Sequence, residues 1–207
     1  MFLIREVYVP EVGFLANGLF WSLTTLAVAS WRMRARRVTW ADLGLRAPES
    51  LKTTAIATVA VFALAVGFVI VFQIINDQMA FGLAPDRSEE NAVAKFGDLY
   101  GNWMLFLAII PFVWLQSTLE EMLDRGFLIN WIERALSGGA LATVIAVLAQ
   151  AAIFGFRHTY DLSERSITVG LIGLAMGICY VLFGRSLWPL IIAHCVLNTI
   201  SMLDRVT

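Results

Sequence analysis

Six stretches of the chain, residues 14–31, 53–75, 103–119, 140–156, 167–183 and 187–203, are apolar over about the ~17–25 residues that a helix needs to cross a bilayer. The expected fold is therefore an all-α integral membrane protein, with about six transmembrane helices in one bundle and its site buried between them. A hydrophobic content of 59%, against the ~45–50% of an ordinary soluble chain, leaves no room for a separate soluble domain. Residues 1–100 read as an N-terminal two-helix membrane region with loops, and 101–207 as the helical core that carries the site.

Charge sets the orientation. Arg32, Arg34, Arg36 and Arg37 follow the first span, whereas a signal peptide carries its charge in front. Despite the Ala27-Val28-Ala29 triplet, the segment is expected to be a retained anchor whose C-terminal end faces the cytoplasm. The linker 32–52 has six Lys/Arg, and the linker 76–102 has five acids against Arg87 and Lys95. That asymmetry places the second linker outside the cytoplasm and fits a plasma (inner) membrane protein. A net charge of −1 with no concentrated basic face excludes a nucleic-acid partner. Cys179 and Cys195 both lie in spans, too few and too scattered for a disulfide framework or a Cys-type zinc site. They read as small buried apolar residues.

Against this background, Glu120-Glu121-Met122-Leu123-Asp124-Arg125 stands out, because an ionisable group at membrane depth costs about 2.5–3.5 kcal/mol even on a lenient scale. The chain's two histidines also fall in or at the ends of spans, as Phe154-Gly155-Phe156-Arg157-His158 and His194-Cys195-Val196-Leu197-Asn198. Glu120 lies 19 residues before Gly139 and His158 lies 19 after it. If Gly138-Gly139 is the tip of a helical hairpin, both sit about 27 Å from the turn at a rise of 1.5 Å per residue. His194 and Asn198 share a helix face, but counting places them a turn or two nearer mid-membrane than His158. Glu121 and Arg125 are four apart with the acid first, the better order for a helical ion pair. That spacing predicts a structural Glu121–Arg125 couple and leaves Glu120 to point elsewhere.

Taken singly, each stretch has an ordinary explanation: an interfacial helix cap for the first, an interfacial histidine beside Arg157 for the second, and interhelical hydrogen bonding for the third. Asp161, Glu164 and Arg165 read as loop charges.

Together, the three stretches resemble the signature of the CAAX-type prenyl-endopeptidase family, also called the CPBP or Abi family of glutamic intramembrane proteases. Its pattern is two glutamates with an arginine four after the second, a phenylalanine four before a histidine, and a histidine four before an asparagine. Glu120, Glu121 and Arg125, Phe154 and His158, and His194 and Asn198 match it in order. Asp124 stands where members commonly carry phenylalanine, which bears on local packing more than on chemistry. Asp42-Leu43-Gly44-Leu45-Arg46 is similar to a short run often found before the second helix.

The resemblance implies an intramembrane endopeptidase acting on a membrane-tethered peptide or protein, with CAAX-type processing as one form of that activity. Glu120 would activate water, assisted by His158, and His194 and Asn198 would donate to the oxyanion. Glu121, Arg125 and Phe154 would support the site. No cofactor and no metal is implied. Two alternatives are carried forward. A zinc protease could use Glu120, His158 and His194, since two histidines and a carboxylate are acceptable ligands, although no His-Glu-x-x-His motif is present. A non-catalytic immunity or binding protein could use the same fold. The sequence sets no oligomeric state.

Overall fold

The computed structural model describes residues 13–79, 81–85, 93 and 95–207. It contains six helices long and apolar enough to cross a membrane: α1 (Gly13–Arg34), α2 (Leu51–Met79), α3 (Trp103–Ala135), α4 (Ala140–Thr159), α5 (Glu164–Leu182) and α6 (Trp188–Val206). The chain is an all-helical integral membrane bundle with no strand among the described residues. Asp86, Arg87, Glu89 and Glu90, part of the acidic linker that set the orientation, lie outside the described residues.

The bundle is apolar outside and charged inside. Leu51, Val59, Leu107, Leu141 and Leu182 are exposed, whereas the largest fully buried side chain is Arg125. This is the arrangement lipid demands, because hydrocarbon tails match leucine and polar groups need partners within the protein. Helices α4 and α5 pack closely through small residues. A Cβ on Gly155 would fall 2.4 Å from the Ser166 carbonyl oxygen, so only glycine permits this approach of backbones.

Three irregular features position the site. First, α3 is α-helical over Trp103–Glu120, π-helical over Glu121–Ile129, and α-helical again over Asn130–Ala135. A π stretch is rare and frequently marks a functional site. Here it coincides with the charged motif and buries every residue from Glu121 to Gly126. Second, Ser137, Gly138 and Gly139 all take positive φ and form the tip of the predicted α3–α4 hairpin.

Third, the linker before α2 folds back on the α5–α6 turn. The Gly44 carbonyl accepts from the Leu187 amide at 3.1 Å, the Leu43 carbonyl from the Tyr180 hydroxyl at 2.8 Å, and the Arg46 carbonyl from Trp188 Nε1 at 2.9 Å. Gly44 has φ +102°, and a Cβ there would lie 1.8 Å from the Arg185 carbonyl oxygen. Thr39 braces the linker by donating from its amide and hydroxyl to Asp42, which holds that carboxyl below the usual range.

Two expectations are corrected. Glu164 and Arg165 belong to the first turn of α5 rather than to a loop: Ser163 caps that helix, and Glu164 accepts from Asn76 of α2 at 2.9 Å. Cys195 is only half-buried: it packs against the edge of the core, and its thiol donates to the Trp114 carbonyl on the exposed side of the α3–α6 contact. Cys179 is buried as expected.

Candidate active site

The three motifs converge. Helix α3 contributes Glu120, Glu121 and Arg125, α4 contributes Phe154 and His158, and α6 contributes His194 and Asn198.

Phe154 is the hub. Its ring centroid lies 4.6 Å from that of His158 and 6.2 Å from that of His194. The Arg125 guanidinium stands 4.2 Å from the ring and that of Arg157 stands 5.0 Å from it, both within cation–π range.

The depth mismatch expected for His194 is absorbed by where α6 begins. Arg185, in the α5–α6 turn, donates to both carboxylate oxygens of Glu133 and to Asn130 Oδ1, each at 2.8 Å. The turn is therefore level with the last part of α3 rather than with the Gly139 tip beyond it. Starting deeper brings His194 to the height of the glutamates.

Glu121 does more than pair with Arg125. Its Oε1 accepts from Arg125 Nη1 at 2.9 Å, as the spacing predicted, and also from His194 Nδ1 at 2.7 Å. With Nδ1 committed to Glu121, His194 turns Nε2 toward Glu120, 3.9 Å from Oε2. Glu120 Oε1 faces the other way, accepting from Gln116 Nε2 at 3.1 Å.

On α4, His158 Nδ1 lies 2.6 Å from the Phe154 carbonyl. A carbonyl only accepts, so Nδ1 carries the proton and Nε2 is the ring's acceptor. Glu120 is within electrostatic reach of this ring. Asn198 donates from Nδ2 to Ser117 Oγ at 2.8 Å, and Ser117 in turn donates to the Val113 carbonyl. The amide is thereby fixed while a second N–H remains on it.

Two side chains that the sequence reading set aside lie inside this cluster. Arg157 is buried rather than interfacial, and it forks onto Asp124, Nη1 to Oδ1 at 2.7 Å and Nη2 to Oδ2 at 2.5 Å. The available signal was the acid in place of a phenylalanine together with a second unexplained charge beside His158.

In all, Glu120, Glu121 and Asp124 face Arg125 and Arg157, with all five buried. Three carboxylates against two guanidiniums leave one negative charge, which one added proton neutralises. No group of three or more His, Cys, Asp or Glu among the described residues is arranged to hold a metal ion.

Residues 102–200, the stretch that carries every one of these side chains, match the family profile described as type II CAAX prenyl endopeptidase Rce1-like. No curated protein and no solved structure matches the chain.

Proposed function

From the place of residues 102–200 in the Rce1-like type II CAAX prenyl endopeptidases, a family of membrane proteases, we propose that this protein is a glutamic intramembrane endopeptidase. Its substrate is a peptide or protein already held in the bilayer, by a lipid anchor of the kind the family name indicates or by a span. The observation that carries the mechanism is the 3.9 Å separation of Glu120 Oε2 and His194 Nε2. One water, at about 2.8 Å from each atom, bridges such a gap.

Glu120 takes a proton from that water, and the His158 Nε2 lone pair helps to orient it. The hydroxide adds to the scissile carbonyl carbon. The oxyanion that forms accepts from Asn198 and from His194 Nε2, a role that needs the imidazole protonated at both nitrogens, with Nδ1–H on Glu121. Each such donor contributes roughly 2.7–4 kcal/mol in a site from which water is excluded. The intermediate collapses as the C–N bond breaks, and the proton held by Glu120 passes to the leaving amine. The second proton on His194 is what neutralises the single uncompensated negative charge of the cluster.

The test compares peptide termini across the proteome in cells expressing the wild type and in cells expressing Glu120→Gln at equal abundance. Termini present only with the wild type support the reading and name the cleavage site. Identical termini from two folded proteins of equal abundance refute it, in favour of a binding protein.

A further inference from the structure

The mechanism above leaves Asp124 and Arg157 without a task, yet both are buried, and a buried ion pair is weak evidence for stability alone. Well-packed apolar residues of similar volume often hold two helices as firmly or more so.

Position separates this pair from a simple helix tie. Asp124 is one turn beyond Glu120 on α3, and Arg157 reaches across from α4. Asp124 grips both Nη atoms of Arg157, a planar fork that fixes the guanidinium in angle as well as in place. The gripped Nη2 then lies 3.8 Å from Glu120 Oε1. That same oxygen accepts from Gln116 Nε2, which also donates to Ser22 Oγ on α1 at 2.9 Å. All of the positive charge and donor capacity named here lies on the Oε1 side, and His194 lies on the Oε2 side.

We infer that Arg157, held by Asp124, is a positioning residue for Glu120: it fixes Oε1 in place and leaves Oε2 as the oxygen that takes the proton from water. Asp124 is the clamp that keeps Arg157 at this distance. Without it, the guanidinium would close onto Glu120 as a direct ion pair and occupy the base. The inference rests on the reading of Glu120 as that base.

The test uses purified full-length protein in proteoliposomes and a membrane-tethered peptide substrate found by the terminus comparison. Two variants are measured for kcat, KM and unfolding temperature. Asp124→Leu with Arg157→Leu removes both charges, so no buried ion is stranded. Asp124→Asn keeps the shape and loosens the clamp.

The expected result for each is a kcat lowered by ~10–100-fold, the scale of a misplaced catalytic group, with KM within about threefold of wild type and the double variant unfolding no earlier than wild type. Wild-type kcat in the folded double variant would reduce the pair to a helix tie and overturn the inference. If the double variant fails to fold, Asp124→Asn decides alone, and wild-type kcat there overturns it equally. Glu120→Gln is run alongside. If it remains active, the base assignment falls and takes this inference with it, whereas an inactive Glu120→Gln beside a fully active double variant sinks only the inference.

Discussion

The same substitution one residue apart should have very unequal effects on folding. Glu121→Gln replaces a fully buried carboxylate whose Oε1 accepts from both Arg125 and His194. An amide oxygen in that place can keep both contacts, but it brings no charge of its own, so each loses part of the ~1.5–3 kcal/mol that a bond to a charged group contributes. In addition, Arg125 becomes a buried cation without its carboxylate, which on its own destabilises by about 3–5 kcal/mol.

Glu120→Gln strands nothing comparable, because the cation nearest to it, Arg157, keeps its forked bond to Asp124. Thermal unfolding in detergent should therefore fall sharply for Glu121→Gln, by an amount equivalent to about 3–5 kcal/mol, and little for Glu120→Gln.

Activity should fall in both, for different reasons. Glu120→Gln removes the carboxylate proposed as the base. Glu121→Gln loses the anchor of His194, and a ring displaced by about 1 Å costs on the order of 10²-fold in kcat. Substrate turnover in proteoliposomes, measured beside the unfolding temperature, reads both effects. If Glu121→Gln proved as stable as the wild type, or Glu120→Gln as unstable as Glu121→Gln, the division of labour drawn from the hydrogen bonds would be wrong.

Other perturbations reach separate parts of the structure. Ser117→Ala removes the acceptor that orients Asn198 and should lower kcat by about tenfold, roughly one hydrogen bond's worth, with KM little changed in steady-state assays. Gly155→Ala places a Cβ 2.4 Å from the Ser166 carbonyl oxygen. It must push α4 away from α5, so both the unfolding temperature and turnover should drop, by at least the ~1–3 kcal/mol of overpacking in the first case. Incubation with EDTA or phenanthroline should leave turnover of the purified protein unchanged, and a loss restored by zinc would revive the metal reading.

Much of the architecture was legible because membrane insertion writes itself along one dimension. A run of apolar residues is a span wherever it falls, and the Gly138-Gly139 hairpin needs only counting. The Glu121–Arg125 bond was equally accessible, since four residues on one helix are a local matter.

What could not be read depended on tertiary contact. The depth of His194 is set by Arg185 gripping Glu133 and Asn130, 52 and 55 residues away in the chain. Likewise, Glu121 meets His194 across 73 residues and Asp124 meets Arg157 across 33. No periodicity connects such pairs, and the nearest clue was that two costly charges had no local partner. The π geometry of Glu121–Ile129 had no sequence signal in this chain, because hydrophobic pattern and helix propensity do not separate it from a continuous α-helix.

That π stretch has a consequence for how the chain can vary. Helix α3 has to satisfy two sets of contacts at once: Glu120 and Glu121 against α6 and α4, and Glu133 against the Arg185 turn. The π stretch fits more residues into each turn than the ~3.6 of an α-helix, so its residue count sets how the faces before and after it are turned to each other. Deleting one residue between these ends would rotate one set against the other, like a gear slipping a tooth, and both could not mesh. The tip at residues 136–139, exposed throughout, has no such double duty. Changes in length are thus tolerable at the hairpin and forbidden in the middle of α3, where residue count itself, as much as residue identity, keeps the site assembled.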